Sequence, residues 1–356
     1  MSEHNFHAEH KVSGGKLVVA DITTDGERIT DAKISGDFFL EPEEAFFELA
    51  PALVGSSVTD DGTTLAARLQ AALAPFGEEL DLHGFSIEDV ALVVRRAVTD
   101  AKDFGDFDWS ILRPGPLPTS LNVALDQLLL DEVASGRRGP TVRFWDWDDK
   151  ATVIGSFQSY ANELNPEGVA KHGIDVVRRI SGGGAMFMEG GNCVTYSLYA
   201  PESLVAGLSY EQSYVFLDQW VLQALGQLGV NAWYKPINDI TSTGGKIGGA
   251  AQKRVRGAIL HHVTMSYDID ADKMTEVLRI GKAKISDKGI RSAKKRVDPL
   301  RRQTGESREA IIRTMAETFQ ARTGASWEEL SPADLDAGRA LVEEKFGTEE
   351  WTHRVP

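Results

Sequence analysis

Cysteine is almost missing from this chain of 356 residues: Cys193 is the only one. No internal disulfide can form, and a reducing, cytoplasmic setting is the expectation. Basic charge is scarce too, with 38 Lys and Arg against 53 Asp and Glu, a formal net charge of -15. That balance argues against a general nucleic-acid binder and against attraction to an anionic membrane surface. No apolar run approaches the roughly 18 residues a membrane-spanning helix needs. The opening MSEHNFHAEHKVSGG has no apolar core, so no secretory signal is expected. The phosphate-cradling pattern G-x-x-x-x-G-K-[ST] is absent, and no set of ligands at zinc spacing accompanies His261-His262.

What is present suffices for a sizeable core, since 42% of residues are hydrophobic, and the length suits about two domains. Lys16–Ala20 and Arg28–Ile34 read as strands of a hairpin turning at Asp25-Gly26. A helix opened by Glu41-Pro42 is expected to stop near Ala50, before Pro51. Thr63–Ala74 and Ser86–Val98 carry apolar residues at helical spacing, the second with a capping box from Ser86 to Asp89. Residues 105–118, with Pro114, Pro116 and Pro118, read as a linker. Beyond it, helices are expected at Ser120–Ala134, Ser213–Leu228 and Arg308–Arg322. Strands are expected at Thr141–Trp147, Thr152–Gly155, Gly173–Arg178, Cys193–Leu198 and Ile259–Tyr267. The irregular alternation predicts an α+β fold with mixed sheets and helices.

Two glycine-rich segments concentrate the chemistry. In NDITSTGGKIGGAAQ, Asn238 and Asp239 precede Lys246, which Gly244, Gly245, Gly248 and Gly249 bracket. Glycines allow backbone N–H groups close to a ligand, and a lysine beside them can neutralise a phosphate or carboxylate. Ser181-Gly182-Gly183-Gly184-Ala185 follows Arg178 and Arg179. Guanidinium pairs well with phosphate, but on a strand only one of two adjacent arginines can face the site. Each segment alone could equally be a turn. Asp239 is the candidate magnesium ligand, since that ion takes one or two carboxylates plus substrate phosphates. His261 and His262 must point to opposite faces of their strand. Cys193 has no basic neighbour in sequence to activate it and reads as structural. Trp145 and Trp147 share a strand face; packing accounts for both, and Trp147 is the candidate for lining an apolar tunnel.

In order, LNVALDQLLLDEV, TVIGSFQS, RRISGGGA, Gly191-Asn192, NDI, GGKIGGAAQ, LHHVT and KGIRSAKKRV resemble the lipoate–protein ligase A family over most of residues 113–356. KVSGGKLV and ISGDFFLEPEEA resemble the small accessory domain of such ligases, which usually follows the catalytic one. The resemblance implies an accessory domain at 1–104, a linker at 105–118 and a catalytic domain at 119–356, a circularly permuted order. KFGTEEWTHRVP looks like the seam where the accessory domain normally begins. The catalytic fold would be similar to that of the biotin ligases, though their GRGRxGRxW signature is absent.

The implied activity is ATP-dependent: lipoate and Mg-ATP give lipoyl-AMP, and a carrier-protein lysine then takes the acyl group. Implied carriers are the lipoyl domains of 2-oxoacid dehydrogenases and the glycine-cleavage H protein, with neither nucleic acid nor membrane as partner and a monomer as the expectation. By the family pattern Lys246 meets the lipoate carboxylate and the phosphate. Gly182–Ala185 with Ser181 hold the acyl and adenylate region, with Arg179 or Arg178 at the phosphate. Asn238 and Asp239 serve nucleotide and metal, Gly248, Gly249 and Ala250 line the adenylate loop, and His262 supports the site. Met188-Glu189 stands where the family has His-Asp, and Val263 where a glycine usually follows the paired histidines. Two rival readings are an octanoyl transferase acting through a cysteine and a non-catalytic lipoate-binding homologue. The first would need a cysteine near NDI or in place of Lys246.

Overall fold

Alternation of apolar and polar side chains in LVVADITT and ITDAKISG builds the hairpin Leu17–Thr24/Ile29–Gly36. Val18, Ala20 and Ile22 turn inward and are all but inaccessible, while the residues between them face outward. The Asp25 carboxylate closes the turn by accepting N–H bonds from Glu27 (2.9 Å) and Arg28 (2.8 Å). A third strand, His4–Lys11, was not anticipated: its sequence HNFHAEHK is mostly polar, and it pairs along the edge of the hairpin. Of the helices Phe46–Leu53, Gly62–Leu73 and Ile87–Val98, the first and last pack on this sheet, and the second packs against both of them. The last is capped as expected by the reciprocal Ser86 and Asp89 bonds, with Glu88 in its first turn and Arg95 and Arg96 in its last, complementing the helix dipole. The first runs through Pro51 instead of stopping before it. Leu49 and Leu53, four residues apart and fully buried, hold that last turn in the core although proline leaves one backbone bond unmade.

The computed structural model describes residues 3–12, 14–255, 257–279 and 297–356, so KGIRSAKKRV, apart from its final valine, lies outside the described residues. The chain divides into two compact units. The one just described reaches Asp103 and takes in Ser203–Ser213; the other comprises Phe104–Glu202 and Tyr214–Pro356. The proline-rich stretch read as a linker is therefore built into the second unit. Ser110–Leu112 is a strand inside its large sheet, and Phe104, Trp109, Ile111 and Leu112 are buried. The prolines punctuate a short apolar strand rather than a free connection.

The second unit rests on a sheet of nine strands among the described residues. Its path runs Ala232–Lys235, Asp239–Ser242, Gly245–Val255, Ala258–Ser266, Cys193–Pro201, Thr141–Trp147, Ser110–Leu112 and Ser326–Glu328, with the ninth strand, Pro116–Leu117, paired to Thr141–Trp147 off that path. Pairing is antiparallel as far as Thr141–Trp147 and parallel beyond it. A small sheet joins Asp175–Arg178, Lys150–Ile154 and Met186–Glu189. The register puts Arg143, Ser197, His262 and Ala251 across from one another, and hence on one face of the large sheet. Val142, Leu198, His261 and Gln252 line up on the other. Helix Thr119–Ala134 reaches the first face through Asn122 and Asp126. The helix expected over 213–228 is two helices, Tyr210–Leu217 and Gln219–Gln227, parted at Asp218. The Asp218 carboxylate takes bonds from Tyr196, Tyr234 and His261, so a tertiary demand overrides local helix preference.

Candidate active site

NDITSTGGKIGGAAQ folds as a hairpin, with Asp239–Ser242 antiparallel to Gly245–Val255, and this pairing brings Lys246 back over Asp239. Lys246 Nζ lies 2.8 Å from Asp239 Oδ1, both side chains more than a third exposed. An exposed pair of this kind is worth at most about 1 kcal/mol, so the ammonium can leave Asp239 for a bound anion at little cost. Gly249 stands beside the pair: a Cβ there would sit 3.6 Å from Lys246 Nζ and 3.7 Å from Asp239 Oδ1. Asn238 ties the start of the hairpin to its second strand, its side-chain amide donating to Ala250 O (2.6 Å) while its backbone carbonyl accepts the Ala250 N–H (2.9 Å).

Lys246, Asp239 and Asn238 open onto a cavity of about 120 Å³. Its far walls are apolar, formed by Trp145, Val153, Met186 and Met188, with Thr195 and Thr264 between. Arg179, Gly184, Ala185, Gly249, Ala250, Ala251 and His262 complete the lining. An apolar blind end with one ammonium and one carboxylate near the mouth suits a molecule that is hydrocarbon at one end and anionic at the other.

The end of the glycine loop, Gly184 and Ala185, lines one side of this cavity, and Arg179 is what shapes the loop. Its guanidinium donates to the carbonyls of Gly182 (2.6 Å), Gly184 (2.9 Å) and Val153 (3.2 Å) and to Ser181 Oγ (3.0 Å). Burial lowers its pKa to about 10, which still leaves it charged at neutral pH. Gly182 and Gly183 are not among the lining residues. A Cβ on Gly155 would come within 2.2 Å of the Gly183 carbonyl, so the two backbones meet at a distance only glycine permits. Gly248 is likewise set back, pressed against the neighbouring strand at Thr264 O.

Two expectations are corrected. Arg178 is fully buried and turned away from the cavity: it donates to the carbonyls of Gly155 (2.9 Å), Gln158 (2.7 Å) and Thr352 (2.7 Å), and so acts as a staple. Strand alternation allows only one of the adjacent arginines to face the loop, and that one is Arg179. Trp147 does not reach the cavity either. It lies two residues further along its strand, with the Arg308 guanidinium 5.6 Å from its ring centre, and Trp145 supplies the wall.

Sequence reasoning missed the support beneath the site. His262 donates or accepts at both ring nitrogens: Nδ1 lies 2.8 Å from Asp126 Oδ2, and Nε2 lies 2.6 Å from Ser181 Oγ. Asp126 also takes Arg143 (2.9 Å) and the Tyr199 hydroxyl (2.6 Å) on its other oxygen. Burial pushes the Asp126 carboxyl up, but the His262 bond and the Arg143 charge outweigh it and hold it below the usual carboxylate range. Burial lowers the His262 pKa against the pull of Asp126, so the ring is neutral, with its proton on Nδ1 toward the carboxylate and Nε2 accepting from Ser181. One signal was available: Asn122 and Asp126 are polar, four residues apart, on a helix whose neighbours Leu121, Val123, Leu125 and Leu129 are buried.

The departures from the family pattern separate by position. Met188 lines the apolar wall, and Glu189 beside it is paired with Lys273 at 2.6 Å. Val263 lies on the opposite sheet face, against Tyr196 rather than the cavity. Among the described residues no cluster of three or more His, Cys, Asp or Glu forms a metal cage. Asp239 offers a single carboxylate, a donor set that suits a magnesium ion arriving on a polyphosphate rather than one held by protein alone. Cys193 is buried, its Sγ 3.9 Å from Phe187 O, and burial pushes the thiol up to about 12. No described helix is long and apolar enough to cross a membrane.

Relatives and solved structures fit this geometry. The chain is 26% identical over 278 residues to the octanoyltransferase LipM of Halalkalibacterium halodurans, covering 69% of this chain and 99% of that protein. It is 32% identical over 209 residues to lipoate–protein ligase 1 of Staphylococcus aureus, covering 56% of this chain and 60% of the other. The bi-partite lipoate protein ligase of Thermoplasma acidophilum superposes with a TM-score of 0.61 at 25% identity, over 70% of this chain and 96% of that one. The model of the lipoyl protein ligase A/B catalytic domain matches residues 118–320, more than half of the chain. The chain belongs to the family of the lipoyl protein ligase A/B catalytic domain.

Proposed function

We propose that this protein is an ATP-dependent lipoate–protein ligase. The observation that carries the reading is a lysine ammonium at the mouth of an apolar-walled cavity, in a chain whose only thiol is buried and held protonated. Acyl transfer through cysteine needs an accessible thiolate, which Cys193 does not supply. In the proposed reaction a lipoate carboxylate oxygen attacks the α-phosphorus of ATP and the bond to pyrophosphate breaks. The amine of a carrier lysine then attacks the acyl carbon, forming an amide as the bond to AMP breaks.

Lys246 leaves Asp239 to neutralise the carboxylate and the phosphoryl oxygens as charge builds on them. Trp145, Val153, Met186 and Met188 hold the acyl chain, and Gly184 and Ala185 at the end of the glycine loop present backbone to the adenylate. Asn238 and Asp239 lie at the nucleotide, with the Asp239 carboxylate as a ligand to magnesium carried on its phosphates. Arg179 and Ser181 hold the loop's shape, and His262, with both nitrogens engaged, orients Ser181 rather than moving a proton. Gly249 and Ala250 keep the hairpin close against the ligand, and Gly248 lets it pack tightly on the neighbouring strand. The carriers would be lipoyl domains of 2-oxoacid dehydrogenases or a glycine-cleavage H protein.

We read the first unit as the accessory domain, placed ahead of the catalytic one in permuted order. The bi-partite Thermoplasma relative supports this, because its match covers 96% of that chain but 70% of this one, which leaves room here for a further domain. The LipM similarity favours a second reading, octanoyl transfer from a protein-bound thioester without ATP. The deciding experiment incubates the protein with an apo lipoyl domain and either lipoate and Mg-ATP or octanoyl-carrier protein, and weighs the domain. An ATP-requiring lipoyl increment, with ATP–pyrophosphate exchange, supports the ligase; an increment only from octanoyl-carrier protein overturns it.

A further inference from the structure

A second cavity lies along the same strand face as the first. Gly249 and Ala251 of strand Gly245–Val255 line the candidate active site, and Lys253 and Val255, next on that face, line a cavity of about 380 Å³. Two residues of strand span about 7 Å, so the cavities are separated by little more than the length of one lysine side chain. The glycine loop is their shared wall. Ser156 and Ile180 line the second cavity, Ser156 N–H bonds to Ser181 O (2.8 Å), and a Cβ on Gly182 would touch the Phe157 ring at 3.7 Å.

The chemistry of the second cavity runs against that of the whole molecule. In a chain of net charge -15 it gathers Lys253, Lys345 and Arg354 against one carboxylate, Asp131. Two of the cations sit on aromatic rings, Lys345 Nζ 4.1 Å and the Arg354 guanidinium 4.6 Å from the Trp351 ring centre. Arg354 also lies 5.9 Å from the Phe157 ring. Lys345 is oriented by a 2.6 Å bond to Gln127 Oε1, and burial with the charges of Arg354 and Lys253 lowers its pKa. Phe157 is 71% exposed, so its ring packs little against its own chain. Tryptophan, arginine and phenylalanine around a half-enclosed hollow are the residue types that dominate protein–protein contacts. An acidic partner approaching an acidic protein needs a locally positive landing point.

We propose that this cavity docks an acidic surface segment of the carrier protein, so that the carrier's acceptor lysine reaches over the glycine loop to the acyl group. The inference rests on the reading that the acyl acceptor is a protein. Lys253 and Arg354 meet carboxylates of the carrier, Phe157 and Trp351 give the apolar contact, and neither cation takes part in forming the adenylate.

The test uses the full chain with the double substitution Lys253→Glu/Arg354→Glu and an apo lipoyl domain. Calorimetric titration of the domain, without ATP, reads docking alone. ATP–pyrophosphate exchange with lipoate reads adenylate formation and confirms the variant's fold. The expected result is docking about ten-fold weaker, exchange within two-fold of wild type, and a wild-type affinity that falls with added NaCl while the variant's does not. A lipoyl domain with an acidic residue near its acceptor lysine changed to Lys should bind the variant better than the native domain does. Unchanged docking overturns the proposal. So does a raised KM for ATP with unchanged docking, which would make the cavity a nucleotide site. Absence of pyrophosphate exchange in the wild type, with docking still lost in the variant, would count against the ligase and not against the docking cavity.

Discussion

Two equally buried carboxylates, Asp126 and Asp218, meet adjacent histidines on opposite faces of the large sheet. On one face Asp218 accepts from His261 Nε2 (2.7 Å) and from the hydroxyls of Tyr196 and Tyr234. Burial and the Asp218 charge hold both phenols protonated, and the ring of Tyr196 packs on Trp220, 5.0 Å between centres. This hub ends in core. On the other face Asp126 is matched by the permanent charge of Arg143, and its histidine passes the contact on to Ser181 and so to the glycine loop. The two hubs use the same residue types at the same depth. One becomes part of a site because the element beyond its histidine is a glycine loop bent around a cavity, not another helix. A buried Asp–His pair is thus no mark of chemistry by itself.

The largest expected effect tests whether chemistry follows the Asp126 face. Lys246→Ala should lower lipoyl-AMP formation on the order of 10² to 10³-fold with an unchanged melting temperature, since its ion pair is exposed. Retained adenylate synthesis in pyrophosphate exchange would remove Lys246 from its role.

Next come the hubs themselves. Asp126→Ala leaves Arg143 buried without its partner and should cost about 3 to 5 kcal/mol of stability in urea unfolding. Asp126→Asn and Asp218→Asn, read together, sharpen the contrast: where both fold, only the Asp126 variant should raise the KM for lipoate. Equal loss in both would show that the two faces do not differ in function.

A smaller effect concerns acid. Burial holds the folded His262 pKa below the 6.5 of an ordinary imidazole, so the unfolded chain binds a proton that the folded chain refuses. Stability should therefore fall as pH drops from about 6.5 toward the folded pKa, and be unaffected by this group well above about 6.5. His262→Gln should flatten the unfolding free energy across that window; an unchanged profile would mean that His262 does not titrate there.

Smallest of all, Cys193→Ser should keep turnover within a few-fold. Cys193 shares a strand face with Thr195 of the cavity wall yet sits beyond it, under Phe187. Loss of acyl transfer in that variant, with the fold kept, would restore the acyl-enzyme reading.

Legibility in the sequence followed the range of the interactions. The hairpin at Asp25, the capping box at Ser86 and the glycine-bracketed Lys246 were readable because turn chemistry, caps and backbone freedom act over a few residues. The strand His4–Lys11 escaped because an edge strand has no need of a full apolar face, and Ser110–Leu112 because the prolines around it hid a core strand of three residues. The break at Asp218 was invisible because its three partners come from three different strands of the sheet, distant in sequence.

By itself the sequence determined the family, the α+β character, the glycine-bracketed lysine and the presence of a single thiol. These are statements about composition and short motifs, which survive any packing. Tertiary structure alone decided that Arg179 and not Arg178 shapes the loop, that Trp145 and not Trp147 walls the cavity, and that Asp126, 136 residues away, aligns His262. The reason is physical: alternation along a strand says that neighbours point opposite ways, but only the helices and loops packed on each face decide which way leads to a site.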